Sequence, residues 1–232
     1  MKLTARLMAI AAFIPAGSFI ADIGTDHALL PIYLVSKGIS PMVIAGDLNE
    51  GPLEAARKNI VAAGLSDKII IKKGFGLEVV ESSTQVAVIA GMGGSTIRDI
   101  IEKAGPDAGR LRLVLQPMAD ADFLRTWLAG NGWKIEDEEL VMEDGRLYEI
   151  IAAVPGIEES EDTVILKIGP RLFEKRHPLL REKLQTEINK NRGIIINLQQ
   201  GISDEAKEKI SILTENNRDL ERIAACLSSV KQ

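Results

Sequence analysis

The sequence predicts an α/β fold: a Rossmann-like, mostly parallel sheet that ends in an antiparallel hairpin, followed by a helical coiled-coil hairpin. Three observations carry this reading. Short apolar, β-branched runs alternate with amphipathic segments from residue 19 to about 130, the pattern of parallel strands covered by helices on both faces. The run GWKIEDEELVMEDGRLYEIIAAVPG (132–156) breaks that rhythm with two extended stretches around Glu143-Asp144-Gly145, an Asp-Gly hairpin signal. Beyond residue 158 apolar residues recur at steps of three and four, the mark of packed helices.

In chain order, MKLTARLMAIAAFIPAG (1–17) carries Lys2, Arg6 and an apolar run, which resembles a secretory signal. Leu3, Leu7, Ile10 and Ile14 nevertheless form the stripe of an amphipathic helix, and a strand starts at Phe19, so a structural helix is expected. SFIADIG is a strand and ALLPIYLVSKG a helix ended by Gly38. PMVIAGD is the second strand, followed by the helix GPLEAARKNIVAAG, stopped by Gly64. KIIIKK and VAVIAG are the third and fourth strands, with a helix over 95–104. RLRLVLQP is the fifth strand and ADADFLRTWLAGNG the helix after it.

The stretch GIEESEDTV (156–164) reads as a solvated linker, which divides the chain into units 1–156 and 157–232. Leu180, Leu184, Ile188, Asn191, Ile195 and Leu198 form one helical stripe. Ala206, Ile210, Leu213, Asn217, Leu220, Ala224 and Leu227 form another, and the two should pack as an antiparallel hairpin joined at Gly201. Between 170 and 200 lie Arg171, Lys175, Arg176, Arg181, Lys183, Lys190 and Arg192, seven bases against Glu174, Glu182 and Glu187. That stretch reads as a surface for a phosphate backbone or as a solvated, dimerising or spacing helix face.

The bulk numbers bound the function. With 232 residues, 46% of them hydrophobic, the chain can bury one full core and an appendage. A net charge of −5 argues against a globally basic nucleic-acid binder but leaves room for a local basic face. A lone cysteine, Cys226, excludes an internal disulfide framework, and two histidines make a structural zinc site a poor expectation; both suit the cytoplasm. No segment approaches the ~20 apolar residues of a membrane span.

The chemistry concentrates at strand ends. Asp22-Ile23-Gly24 closes the first strand, where open α/β sheets bind ligands, and Gly24 permits close backbone approach. Asp47, one strand–helix unit later, can take both ribose hydroxyls. Asp26 beside Asp22 would repel a pyrophosphate and attract an ammonium and a sulfonium, as in S-adenosylmethionine. His27 reads as a base, a donor to the ligand's carboxylate, or a helix cap. Gly91-Met92-Gly93-Gly94 supplies free N–H groups at a helix start, and Gln116-Pro117 faces the same cleft, where an amide can bond to a base edge.

These residues resemble the bacterial tRNA (adenine-22-N1)-methyltransferases. The likeness runs along the whole chain: Thr4-Ala5-Arg6-Leu7, DIGTDHALLP (22–31), GDLNEGPLEAA (46–56), GLEV (76–79), IAGMGG (89–94), LQP (115–117) and DGRLYEI (144–150) stand in family order. It implies a class I methyltransferase domain using S-adenosylmethionine, with tRNA as partner and no metal or membrane. The cofactor would be held by Asp22, Gly24, Thr25 and His27 after the first strand, and by Asp47 and Leu48 after the second. Gly74, Phe75 and Gly76 after the third strand and Gly91, Met92 and Gly93 after the fourth would complete its site. Arg6, Gly94, Gln116, Pro117, Arg176 and Arg181 would meet the RNA, and Asp26 would stabilise charge on the methylated ring. Two positions depart from the family pattern: Phe75 stands where an Asp is usual and Met118 where an Asn is usual. They leave two other functions to weigh: a cofactor-binding protein with weakened or lost catalysis, and a small-molecule methyltransferase whose hairpin only dimerises.

Overall fold

Strand propensity and burial agree from the first strand onward in the computed structural model, which describes residues 3–160, 162–199 and 203–228. Among the described residues the strands are β1 (Ile20–Ile23), β2 (Val43–Asp47), β3 (Ile69–Lys73), β4 (Val86–Met92), β5 (Arg112–Pro117), β6 (Trp133–Glu143) and β7 (Arg146–Pro155). They form one sheet in the order β3-β2-β1-β4-β5-β7-β6. The first five pair in parallel, while β7 lies antiparallel to both β5 and β6.

The two-residue period of a strand sorts the core into two layers. Ala21, Ile23, Ile44, Ala87, Ile89, Leu113 and Leu115 point to one face, under α4 (Gly94–Ala104) and α5 (Ala121–Gly130). Ile20, Val43, Ala45, Val86, Val88 and Val114 point to the other. That face is covered by α1 (Ala5–Ala12), α2 (Leu29–Ser36) and α3 (Glu50–Ala62). Thr4 caps α1 by accepting from the Leu7 N–H, and Ile10 and Ile14 are buried as the amphipathic stripe requires. Asp22 sits level with Ala45 on one neighbour and Val88 on the other, so β1, β2 and β4 share one lip at their carboxyl ends. Chain order reverses between β1 and β4, which makes that lip the crevice of the sheet. Asp144 and Gly145 join β6 to β7 with φ of 50° and 74°, the left-handed pair that a two-residue hairpin turn demands.

The C-terminal part differs from the two helices expected. Four helices follow the sheet among the described residues: α6 (Thr163–Ile168), α7 (Pro170–Glu174), α8 (Leu180–Leu198) and α9 (Asp204–Ser228). Gly169, at φ 116°, breaks the first pair. Pro178 separates α7 from α8, because the residue before a proline avoids the helical region. The segment before α6 is not simply solvated. The Glu158 carboxylate accepts from the Ile135 N–H at 2.9 Å and pairs with Arg171 at 2.6 Å, and Asp162 caps α6. Too few residues separate α8 from α9 for a parallel return, so the two run antiparallel. Asn191 and Asn217, one from each predicted stripe, bond across the pair at 2.9 Å. The junction expected at Gly201 lies outside the described residues. Leu172, Leu180, Leu184, Ile188, Leu220 and Ile223 gather with Leu140 of β6 in a third core cluster, which joins these helices to the sheet.

Candidate functional site

The cleft begins at the end of β1. Gly24 and Thr25 both donate their N–H to the Gly46 carbonyl at 2.9 Å, turning the chain sharply away from β2. Gly24 has φ 74°, and a Cβ there would lie 2.4 Å from the Met92 side-chain tip. The left-handed φ is what glycine serves there, and the Met92 tip fills the space a side chain would take. Asp22 is buried and makes no ion pair among the described residues. Desolvation pushes its carboxyl from 3.8 up to about 6; nearby Thr25 pulls it down and Asp47 raises it further. The Thr25 hydroxyl is itself buried and interacts with the Asp22 carboxyl, short of a well-formed hydrogen bond. A buried carboxyl and a buried hydroxyl suit a ligand that brings a cation and polar groups.

Asp47 accepts from the Asn49 N–H at 2.7 Å, and beside it Leu48 is more than half exposed, an apolar edge against the cleft. Gly46 and Gly74 leave room for Val79, and Gly76 for Ile100, so Gly74 and Gly76 serve packing of the 76–79 turn. The Phe75 ring packs on the core and lies 4.3 Å beneath the Lys103 ammonium, which pairs with Glu78 at 2.8 Å. His27 and Ala28 adopt left-handed φ of 56° and 54°. No His27 ring bond caps α2; the ring instead stands 3.4 Å from Asp26, and both side chains are exposed. The reading of His27 as a helix cap is therefore corrected.

Across the crevice, Gly91 at φ 78° has open space above it, and Gly93 starts α4. Gly94 is different. A Cβ there would fall 2.5 Å from the Asp120 carbonyl, and its N–H is taken by Ala119, so it packs α4 on the β5–α5 loop and does not face a substrate. Gln116 is corrected too. It is fully buried: its oxygen accepts from Arg6 at 2.7 Å and from the Gly91 N–H at 3.2 Å, while its amide donates to the Pro117 carbonyl and the Met118 sulfur. No part of it is left for a base edge. Its role is to aim Arg6, whose guanidinium lies 5.5 Å from the Tyr148 ring centre and beside Glu143.

Tyr148, Glu143 and Arg146, which sequence reasoning did not single out as site residues, complete this lip. Arg146 also lies over the Tyr148 ring, at 5.3 Å, and reaches the Met118 carbonyl at 3.3 Å. Arg146 and Tyr148 do fall in the run DGRLYEI that carries the resemblance, and that run was the signal available for them. The predicted basic stretch is largely neutralised. Arg171 binds Glu158 and Glu174, Lys175 binds Asp137 and Glu139, Lys183 binds Glu149 and Arg192 binds Glu221. Arg176, Arg181 and Lys190 are exposed, and their side chains make no hydrogen bond or ion pair among the described residues. No cluster of three or more His, Cys, Asp or Glu side chains among the described residues forms a metal site.

Comparison with known proteins places these features in company. Residues 20–222 match the family described as "tRNA (adenine(22)-N(1))-methyltransferase". A protein of that name from Bacillus subtilis (strain 168) is 34% identical over 96% of this chain and 97% of its own length. A Streptococcus pneumoniae structure, a putative tRNA (m1A22) methyltransferase in complex with S-adenosyl-L-methionine, has a TM-score of 0.84 at 32% identity and covers 96% of this chain and 100% of that one. A homologue from M. capricolum, in complex with the cofactor product S-adenosyl-homocysteine, has a TM-score of 0.85 at 26% identity and covers 98% of this chain and all of that one.

Proposed function

The chain belongs to the tRNA (adenine(22)-N(1))-methyltransferase family, and from that premise we propose which of its residues move a methyl group from S-adenosylmethionine to N1 of adenine 22 in tRNA. The observation that carries the assignment is the buried Asp22 carboxyl, without an ion pair among the described residues, beside the buried Thr25 hydroxyl at the crevice. Asp22 and Thr25 hold the cationic amino-acid end of the cofactor, Asp47 its ribose, and Leu48 and Phe75 flank its adenine. When bound, the cofactor supplies an electrophilic methyl group on a sulfonium.

Adenine N1 offers an in-plane lone pair, so the protein's tasks are alignment and exclusion of water. The open backbone at Gly91 and Met92 faces the reacting groups. The methylated ring is cationic until N6 loses a proton, and Asp26, on the same rim, stabilises that charge. The target base leaves its stack to reach the crevice, and Arg6, pinned by Gln116, holds its displaced phosphate. Arg176, between α7 and α8, and Arg181, in the first turn of α8, add contacts to the RNA backbone. Reversing both charges should flatten the dependence of tRNA affinity on salt; an unchanged slope would remove them from the interface.

No helix among the described residues is long and apolar enough to cross a membrane, and with tRNA as substrate the protein works in the cytoplasm. Residues 1–156 form the catalytic unit and 157–232 the helical one. The deciding experiment is incubation with labelled cofactor and unmodified tRNA, followed by mapping of the product. N1-methyladenosine at position 22 is the expected result. Cofactor binding without transfer to any tRNA would favour a binding protein that has lost catalysis.

A further inference from the structure

A cavity of about 530 Å³ lies between the lip of the sheet and the helical hairpin. Its walls are the segment after β5, the start of β7, and faces of α6, α8 and α9. The floor is electrostatically closed, since Glu149 is paired with Arg125 at 2.6 Å and with Lys183 at 2.9 Å. The walls are not. Asp120, Asp122, Lys167, Glu187, Lys190 and Asn216 line the cavity, and none of their side chains makes a hydrogen bond or ion pair among the described residues.

Glu187 is the informative member. Burial pushes its carboxyl up, Lys183 opposes that, and Glu149 adds to it. A desolvated carboxyl with no hydrogen-bond partner is a cost to the fold, and such costs concentrate where ligands bind. Two lysines against three carboxylates and an amide do not suit a bare polyanion, which the carboxylates would repel. They suit a nucleotide, which presents N–H and acceptor groups on its base and a phosphate close by. The cavity also runs on from the proposed methyl-transfer lip, because Pro117, Met118 and Tyr148 belong to both.

We infer that this cavity takes a second nucleotide of the RNA substrate, one lying near the target adenosine in space. Glu187, Asp122 and Asn216 read its base, and Lys167 and Lys190 hold its phosphate. This rests on the tRNA reading above and deepens it: the hairpin is one wall of a substrate-reading groove.

The test uses the full chain and unmodified tRNA. Glu187→Leu should raise the KM for tRNA at least tenfold, with most of the loss in KM rather than kcat, while S-adenosylmethionine affinity stays native. Its melting temperature should not fall, because a half-buried carboxyl with no hydrogen-bond partner is removed; a rise in KM alone is not what a purely structural residue would show. Should that variant fail to fold, Glu187→Gln serves with the same expectation. Lys190→Ala should raise KM and lower the salt slope of binding by about one. Native KM values, within twofold, for both the Glu187 and Lys190 variants would overturn the inference while transfer by the native protein continued. Absence of transfer by the native protein would instead overturn the methyltransferase assignment itself.

Discussion

Asp22 shows how one side chain sets the pH behaviour of the site. Its folded-state pKa of about 6 lies above the ordinary 3.8, so the folded protein retains a proton that the unfolded chain gives up. Stability therefore falls as pH rises from about 4 through 6, by about 3 kcal/mol. A cationic ligand reverses the preference. S-adenosylmethionine affinity should climb with pH up to about 6 and level off above it, and Asp22→Asn should bind weakly with no such rise. Calorimetry between pH 5 and 8 tests this, and a flat native profile would remove Asp22 as the cation's partner. Gln116 is the second residue with an outsized effect. Gln116→Leu would leave the Gly91 N–H unsatisfied and loosen Arg6, with only Glu143 and the Tyr148 ring among the described residues to hold it. Thermal unfolding should show a loss of ~1–3 kcal/mol. Kinetics should show a higher KM for tRNA, with the cofactor KM little changed.

Among the elements, α5 couples the sheet to the C-terminal helices. Arg125, wholly buried on its apolar face, bonds to Glu138 on β6 and Glu149 on β7, each at 2.6 Å, and to the Lys167 carbonyl at the end of α6. Lys183 of α8 closes the circuit to Glu149 and the Ile168 carbonyl. Burial alone would raise the Glu149 carboxyl, yet Lys183 and Arg125 more than reverse this and hold it at about 2. Arg125→Leu strands Glu138 without its cation and should cost ~3–5 kcal/mol in a urea melt. A change below 1 kcal/mol would mean that water replaces the arginine. The strands were legible in the sequence because β-branched runs such as VAVIA and KIIIK have few alternatives in a buried sheet. The Asp-Gly turn and both Asn-bearing stripes were legible for equally local reasons. The ion pairs were not. Nothing local distinguishes Arg125, bound in the core, from Arg176, left in solvent, and the partners of Arg171 and Lys183 lie far off in sequence. Gln116 was misread for the same cause: its residue type promised a free amide, and only tertiary packing filled it.

For the molecule as a whole, the boundary near residue 156 is less a hinge than a seam. A chain ending at Pro155 would lose Lys183, expose Leu140 and leave Glu149 with Arg125 as its one cation. It should melt well below the full-length protein and expose apolar surface to a hydrophobic dye; a native-like melt would show that the sheet stands alone. The order β5-β7-β6 has a consequence for synthesis on the ribosome. β6 emerges before β7 yet has no place beside β5, since β7 fills that position. The outer edge of β5 thus waits, unpaired and apolar, until the last strand has been made, and it is a template for pairing with another chain in that interval. A nascent chain stalled before residue 146 should therefore be the most chaperone-dependent intermediate in the protein's biogenesis, and release of residues 146–155 should end that dependence.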